Sequence, residues 1–368
     1  MRNRGLAALI GRIIMWSRNA LTERLNLTWP ILQAPMGSLS TPALAAAVSN
    51  AGGLGGLGMW GFSAEDAERR IAGFRQQSSG SLNVNYPLWP EPRIAPQASE
   101  AMRKRLQPHY DANNLGSVPE PQGVVSEVSR EHLEMLLHAK PEMVSFHFGL
   151  PRPEIVNAIK DAGIFTISSA TTVAEARRLE EQGVDAIIAQ GTEAGGHRGT
   201  FTNVDISAQA GLFALLPQVV DSVRVPVIAA GGIADGRTLA AAFVLGASAV
   251  QLGTAFLRCE EANVPDTYRA ALREPTDACT VVTDVLTGRP ARCIKNKLVD
   301  DLLASNLPPV AFPAQLGLTA PLGTTGDREL TGLFAGQSAA LAKDSTAGTL
   351  VAALAKAASK CLRAFARP

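Results

Sequence analysis

Cysteine is scarce in this sequence. Cys259, Cys279, Cys293 and Cys361 are the four, and no two form a CxxC pair. That argues against a disulfide framework and against zinc, and it fits small buried or surface thiols in a reducing, cytoplasmic compartment. Net charge is lacking too, since 34 basic residues face 33 acidic ones and leave +1. Broad electrostatic attraction to nucleic acid or to an anionic membrane is therefore not expected. No apolar run approaches the roughly 20 residues of a membrane span. Neither a GxSxG nucleophile elbow nor a phosphate loop ending in GK[ST] occurs. What is present is 46% hydrophobic residues over 368 positions, material for a sizeable core and a globular chain.

Residues 1–22 carry Arg2, Arg4, Arg12 and Arg18, with no acid before Glu23. A secretory signal needs an unbroken apolar segment, and Arg12 interrupts the stretch from Leu6 to Trp16. These residues read as a basic extension, either poorly ordered or an amphipathic surface helix.

From Trp29 onward, short apolar runs alternate with longer helical patterns. Strands are expected at 31–34, 54–57, 82–85, 143–148, 164–168, 186–190, 227–230 and 249–252. Between them fall helical patterns, several with clear starts. Thr41-Pro42 is an N-cap followed by proline at the first helical position, and Ser63 precedes Asp66 as in a capping box. Each strand is short and apolar throughout, which suits a parallel sheet covered by helices. Eight such units in series predict a (β/α)8 TIM barrel with an inserted lid or substrate subdomain. The expected organisation is an extension at 1–22, the barrel at 23–255, the lid at 256–324, and terminal barrel helices at 325–368. A proline-rich excursion at 87–122, with at most one helix near 98–106, breaks the rhythm. Long loops of this kind often form lids or interfaces.

Two glycine-bearing strand ends carry the strongest chemical signal. Ala229-Ala230-Gly231-Gly232-Ile233-Ala234-Asp235-Gly236 runs from one strand into a helix, and Gln251-Leu252-Gly253-Thr254 ends the next. Barrels often hold a phosphate at these two loops, where glycines let backbone N–H groups approach and the helix dipole favours an anion. Strand one ends in Gln33-Ala34-Pro35-Met36-Gly37, where Met36 is either core filler or a thioether against a flat ring. After strand six comes Gln190-Gly191-Thr192-Glu193-Ala194-Gly195-Gly196-His197-Arg198-Gly199. His197 stands among glycines with little core to satisfy, so proton transfer or anion binding is its expected work. Strand four ends in Ser145-Phe146-His147-Phe148-Gly149. There His147 reads equally as a structural or a pocket residue. Asn85 ends strand three and can hydrogen-bond a heterocycle edge. His109, His132 and His138 are expected in solvent. Gly52-Gly53-Leu54-Gly55-Gly56 has the look of a dinucleotide loop, but it lies between a helix and a strand, the wrong context for that fingerprint.

Taken together, these segments, with Gly288-Arg289-Pro290-Ala291-Arg292 and Gly336-Gln337, resemble the nitronate monooxygenase family, formerly 2-nitropropane dioxygenase, over roughly residues 23 to 340. The glycine loops are shared with FMN-dependent enoyl-acyl-carrier-protein reductases and NADH:quinone reductases, whereas the Ser-Phe-His-Phe-Gly strand is more particular to nitronate monooxygenase. The resemblance implies FMN at the barrel mouth. Met36, Asn85, Gln190 and Gly195 would line its ring and ribityl chain, and Gly232, Gln251, Gly253 and Thr254, with backbone from Leu252, its phosphate end. His197 would be the active-site histidine, with His147 in the substrate pocket. The implied reaction is oxidation of an alkyl nitronate, such as propionate 3-nitronate, by O2 to a carbonyl compound and nitrite through a flavin semiquinone. Partners would be this small molecule and O2, in a monomer or homodimer. Two other readings stay open: an NAD(P)H-dependent FMN reductase acting on an enoyl thioester or quinone, and a non-catalytic flavin-binding protein. Asn83 stands where the family commonly has glycine, and Phe334 where it has tryptophan.

Overall fold

A computed structural model describes residues 16–202 and 205–365. Eight strands form one parallel sheet: β1 (Ile31–Gln33), β2 (Gly55–Gly58), β3 (Leu82–Pro87), β4 (Met143–His147), β5 (Phe165–Ala170), β6 (Ala186–Gln190), β8 (Val227–Ala230) and β9 (Ala249–Leu252). A short strand, β7 (Gly196–His197), lies outside it. The order β1-β9-β8-β6-β5-β4-β3-β2 runs around the sheet. It closes where the Leu54 N–H donates to Ile31 O (3.0 Å) and the Gln33 N–H to Leu54 O (2.9 Å). This is the expected (β/α)8 barrel.

The lumen is packed rather than open. Leu32, Leu54, Ile167, Ile188 and Ile228 fill it, and all are fully buried. The N-terminal end is stoppered by the helix Ala20–Arg24, which Asn19 caps and which sinks Leu21 and Leu25 into the same cluster. Trp16 stacks on Trp29 at 5.6 Å. Residues 16–22, read from sequence as part of the extension, are thus joined to the barrel floor; the rest of that expectation, residues 1–15, lies outside the described residues.

The last helix, Ala347–Phe365, takes the eighth helical position, against the helices Pro42–Asn50 and Gly236–Val244. A Cβ on Gly236 would stand 2.3 Å from the Ala357 Cβ, so only glycine allows that approach. Ahead of it, residues 326–346 are mostly irregular, with one 3₁₀ turn at Ala339–Leu341, and they run along the barrel mouth rather than forming helices.

The proline-rich excursion and the stretch after β9 build one second core. The expected short helix is longer, Pro96–Ala112, and continues through Pro108. Burial of Met102, Leu106 and Tyr110 on one face outweighs the hydrogen bond that Pro108 cannot donate. These residues pack against Val285, Leu298, Leu302 and Leu318, and the Tyr110 hydroxyl donates to Leu318 O at 2.7 Å. The same cap contains two strands that the sequence reading did not anticipate, β10 (Thr280–Thr283) and β11 (Ala291–Ile294). They form a three-stranded sheet in the order β10-β11-β7. Of the three histidines expected in solvent, only His138 is exposed. His109 Nε2 lies 3.0 Å from Asp301 Oδ2 in the cap, and His132 Nε2 lies 3.1 Å from Phe62 O. Among the described residues, no helix is long and apolar enough to cross a membrane.

Candidate active site

The carboxyl ends of the barrel strands open into a cavity of about 620 Å³. That is within the usual range for a cofactor or drug-sized ligand. Met36, Asn85, His147, Gln190, Gly195, His197, Gly232, Gln251, Gly253 and Thr254 all line it. Leu252 does not: only 1% exposed, its side chain belongs to the core, and its carbonyl accepts the Ala34 N–H at 2.8 Å. The alternation of a strand turns it away from the mouth that Gln251 and Gly253 face.

His197 is held from three directions. Its backbone pairs with Ala291 of the cap, as Gly196 pairs with Arg292. Its carbonyl accepts from Gln190 Nε2 (3.1 Å) and His147 Nε2 (3.3 Å). Next along the chain, Arg198 is fully buried and closes the loop onto β6. It donates to Gln209 Oε1 (2.8 Å), Gly191 O (2.6 Å) and Gln190 O (2.7 Å). Gln190 Oε1 in turn accepts the Gly199 N–H at 2.7 Å. One donor and one acceptor position of the Gln190 amide are therefore engaged in holding the histidine loop. His147 is committed in the same way. With Nε2 donating to the His197 carbonyl, its Nδ1 accepts from the Ser169 hydroxyl at 3.1 Å. The geometry makes His147 a strut on the pocket wall. Phe148 leaves the strand with φ +71, a left-handed conformation rare for an aromatic residue. Its ring and His147 thus both reach the cavity, where strict alternation would have parted them.

Burial first, and then the Arg289 guanidinium, push the His147 imidazole down to about 4. Burial, with His147 and Arg289 behind it, brings His197 down to about 3. Both rings are neutral at neutral pH, so the structure favours an imidazole at position 197 over the imidazolium that anion binding would require. Donor counting then fixes the tautomer. The Thr287 hydroxyl donates to Arg289 O at 2.8 Å, so toward His197 Nε2, at 3.1 Å, it can only accept. The Nε2–H form results, and Nδ1 keeps an unclaimed lone pair.

Both histidines also report on stability. Each has a folded value below the ordinary value near 6.5, so the unfolded chain binds more protons in acid. Their contribution is complete above pH 6.5 and is lost as pH falls from there toward 4. The cost is on the order of 1 kcal/mol per pH unit for each group. Thermal melts of the flavin-free protein at pH 7 and pH 5 should show a drop of several degrees. The drop should shrink in a His147→Asn/His197→Asn double variant; equal drops in both proteins would contradict the burial argument.

Fold and site together define a barrel enzyme of the flavin oxidoreductase class. The sequence profile of the nitronate monooxygenase family matches residues 18–357. A probable nitronate monooxygenase of Staphylococcus aureus (strain MSSA476) is 38% identical over 344 residues, 92% of this chain and 96% of that protein. Among solved structures, nitroalkane oxidase from Streptomyces ansochromogenes superposes with a TM-score of 0.87 at 38% identity, over 94% of this chain and all of that one. FabK from Thermotoga maritima superposes at 0.74 with 29% identity, over 95% of this chain and 98% of that one. The chain belongs to the nitronate monooxygenase family.

Several lining residues were not anticipated from sequence. Trp60, Trp89, Phe312 and Leu316 come from loops and the cap, and Ser338 from the segment before the last helix. Thr287 touches His197 from the turn between β10 and β11. The only signal for Thr287 and Phe312 was the proline and glycine spacing around them, which says nothing of where the cap lands, and nothing in the sequence marked Trp60, Leu316 or Ser338.

Proposed function

We propose that the protein binds FMN and oxidises alkyl nitronates with O2 to a carbonyl compound and nitrite. The observation that carries this reading is a neutral His197 with one unclaimed ring nitrogen on the wall of a flavin-sized cavity. The residues present fit the cofactor. Gln251 Oε1 is buried without any partner, an acceptor waiting for a ligand N–H. Gly231 (φ +111) and Gly232 (φ +69) shape a loop at the β8 end, before a helix that Asp235 caps. Gly232, Gly253 and Thr254 would hold the phosphate end by neutral donors, and Met36, Asn85 and Gln251 the ring. When bound, FMN supplies the electron-accepting ring.

The chain's own part is orientation, proton handling and exclusion of water. A nitroalkane presents an acidic C–H, and His197 Nδ1 is placed to accept that proton. The imidazolium so formed stands beside the new nitronate anion, and each charge offsets the other. A substrate supplied as nitronate has no such proton to lose and does not need the base. One oxygen atom must be added to carbon for each nitrite released. The aromatic cap over the cavity keeps bulk water from competing for the substrate carbon.

Replacing Thr287 with valine removes the acceptor that sets the tautomer. We expect kcat on nitroalkanes to fall about tenfold, with Thr287→Ser restoring it and KM little changed. A Thr287→Val enzyme with the wild-type pH profile and rate would remove this positioning role.

The function itself is tested on purified protein by an absorbance spectrum, followed by anaerobic mixing with propyl-2-nitronate and, separately, with NADH. A yellow protein bleached by the nitronate, giving acetone and nitrite once air is admitted, supports the reading. Bleaching by NADH alone would move the assignment to the reductase branch. A protein that takes up flavin but turns over neither would point to the non-catalytic reading.

A further inference from the structure

Glu175 stands outside the cavity, yet it is 0% exposed. It is the third residue of the helix Val173–Glu181, whose cap, Thr172, accepts the Glu175 N–H at 3.1 Å. A glutamate at that position ordinarily reaches back to the N–H of the cap. This one bonds its neighbours on both sides instead. Oε2 accepts the Thr171 N–H (2.7 Å) and hydroxyl (2.8 Å). Oε1 accepts the Thr200 hydroxyl (2.6 Å), the Phe201 N–H (2.9 Å), and the N–H (3.2 Å) and hydroxyl (2.9 Å) of Thr202. Burial opposes the charge, but these donors, Thr200 foremost, outweigh it and hold the carboxyl below its usual range. Each of them is neutral, and cations are met at one remove. Thr171 Oγ1 accepts from Gln209 Nε2 at 3.0 Å, and Gln209 Oε1 accepts from Arg198 at 2.8 Å. On the other side Thr200 O accepts from Arg289, whose guanidinium lies 3.8 Å over the Phe148 ring.

We propose that Glu175 is a positioning residue for proton transfer at His197, acting as the shared counter-charge of Arg198 and Arg289. The proposal rests on the base role given to His197 above and adds to it a residue outside the cavity. The segment that Glu175 grips, 200–202, continues the histidine loop. Gly199, just before it, packs so closely that a Cβ there would stand 2.9 Å from His147 Cε1. The Gly199 N–H is held by Gln190 Oε1, on the same amide that donates to the His197 carbonyl. A shift of this segment is thereby passed to Gln190 and His147, the two supports of that carbonyl. In the native chain two guanidinium groups stand against one carboxylate. Removing the carboxylate alone leaves both cations uncompensated away from water, which is costly. Removing Arg289 as well returns the native imbalance of one positive charge.

The test compares Glu175→Gln with the double variant Glu175→Gln/Arg289→Met in the FMN-loaded protein. We expect kcat on nitroethane to fall about 100-fold in Glu175→Gln, as when a reacting group is misplaced by about 1 Å, with KM and FMN affinity little changed. The loss on preformed ethyl nitronate should be much smaller, because no C–H proton has to leave. The double variant should recover about tenfold of the lost rate, the coupling expected of groups in one charge network. Should Glu175→Gln not fold, Thr200→Val keeps both charges, cuts the hydroxyl link, and should show the same split between the two substrates. A wild-type rate, equal losses on both substrates, or a double variant no faster than the single one would overturn the proposal. A second readout needs no turnover: the imidazole proton resonances of His147 and His197 in the flavin-free protein, which should shift in Glu175→Gln as the loop relaxes. If they shift while no nitroalkane is oxidised by the native enzyme, the positioning role stands and the reaction assignment fails. If they stay in place, the positioning role fails whatever the activity.

Discussion

His197→Asn should lower kcat/KM for neutral nitroalkanes by about 10²- to 10⁴-fold, the usual range for loss of a placed general base. Asparagine keeps a polar side chain of similar reach but has no basic nitrogen. The backbone of residue 197 is held by pairing with Ala291 and by donors from Gln190 and His147, so the loop should keep its shape. FMN uptake, read from the flavin spectrum, should be unchanged. The loss should be smaller on preformed nitronate, because no C–H proton has to leave. That contrast separates a base from a merely positioning ring. Wild-type rates on both substrates would remove His197 from the mechanism, and equal large losses on both would reassign it to holding the nitro group.

The second large effect is expected at the loop proposed to hold the FMN phosphate. Gly232 sits at φ +69, where a β-branched residue is strongly disfavoured, and its ideal Cβ would meet the Glu193 Cβ at 3.4 Å. In Gly232→Val the loop must leave that conformation, and the backbone it presents to an anion moves with it. FMN affinity should fall by about 100-fold or more, corresponding to the several kcal/mol that such strain costs. Equilibrium dialysis or flavin fluorescence measures this directly. The barrel itself should melt almost as before, since Gly232 lies at the mouth and not in the packed lumen. Unchanged FMN affinity would mean that this loop is not the anion site.

Much of the fold could be read from the sequence because the signals are local. All eight barrel strands lie within two residues of their expected ends, since a buried parallel strand is a short apolar run bounded by turn residues. Thr41, Ser63 and Asp235 cap their helices through side-chain oxygens. The glycine loops and His197 came together at one mouth for the same reason: barrel topology brings every strand end to one face. What sequence left unread is non-local. The pairing of β7 with β11 joins His197 to Ala291 across 94 residues, and no local pattern specifies such a register. Likewise the helix at 96–112 outruns its proline because Val285, Leu302 and Leu318 wait for its buried face. The tautomer of His197 hangs on one hydroxyl, that of Thr287, which had no reason to be singled out beforehand. Leu252, expected to lend only its backbone, has its side chain in the core.

The strand that carries His197 takes its backbone partners from the cap, while Gln190 and His147 of the barrel strands hold its carbonyl. In a modular view of this fold, the seat of His197 is therefore shared between barrel and cap. A chimaera that grafts the cap of a relative onto this barrel would keep His197 but change what its ring meets, and a graft whose replacement for Ala291–Ile294 fails to pair would leave the histidine loop held from the barrel side alone.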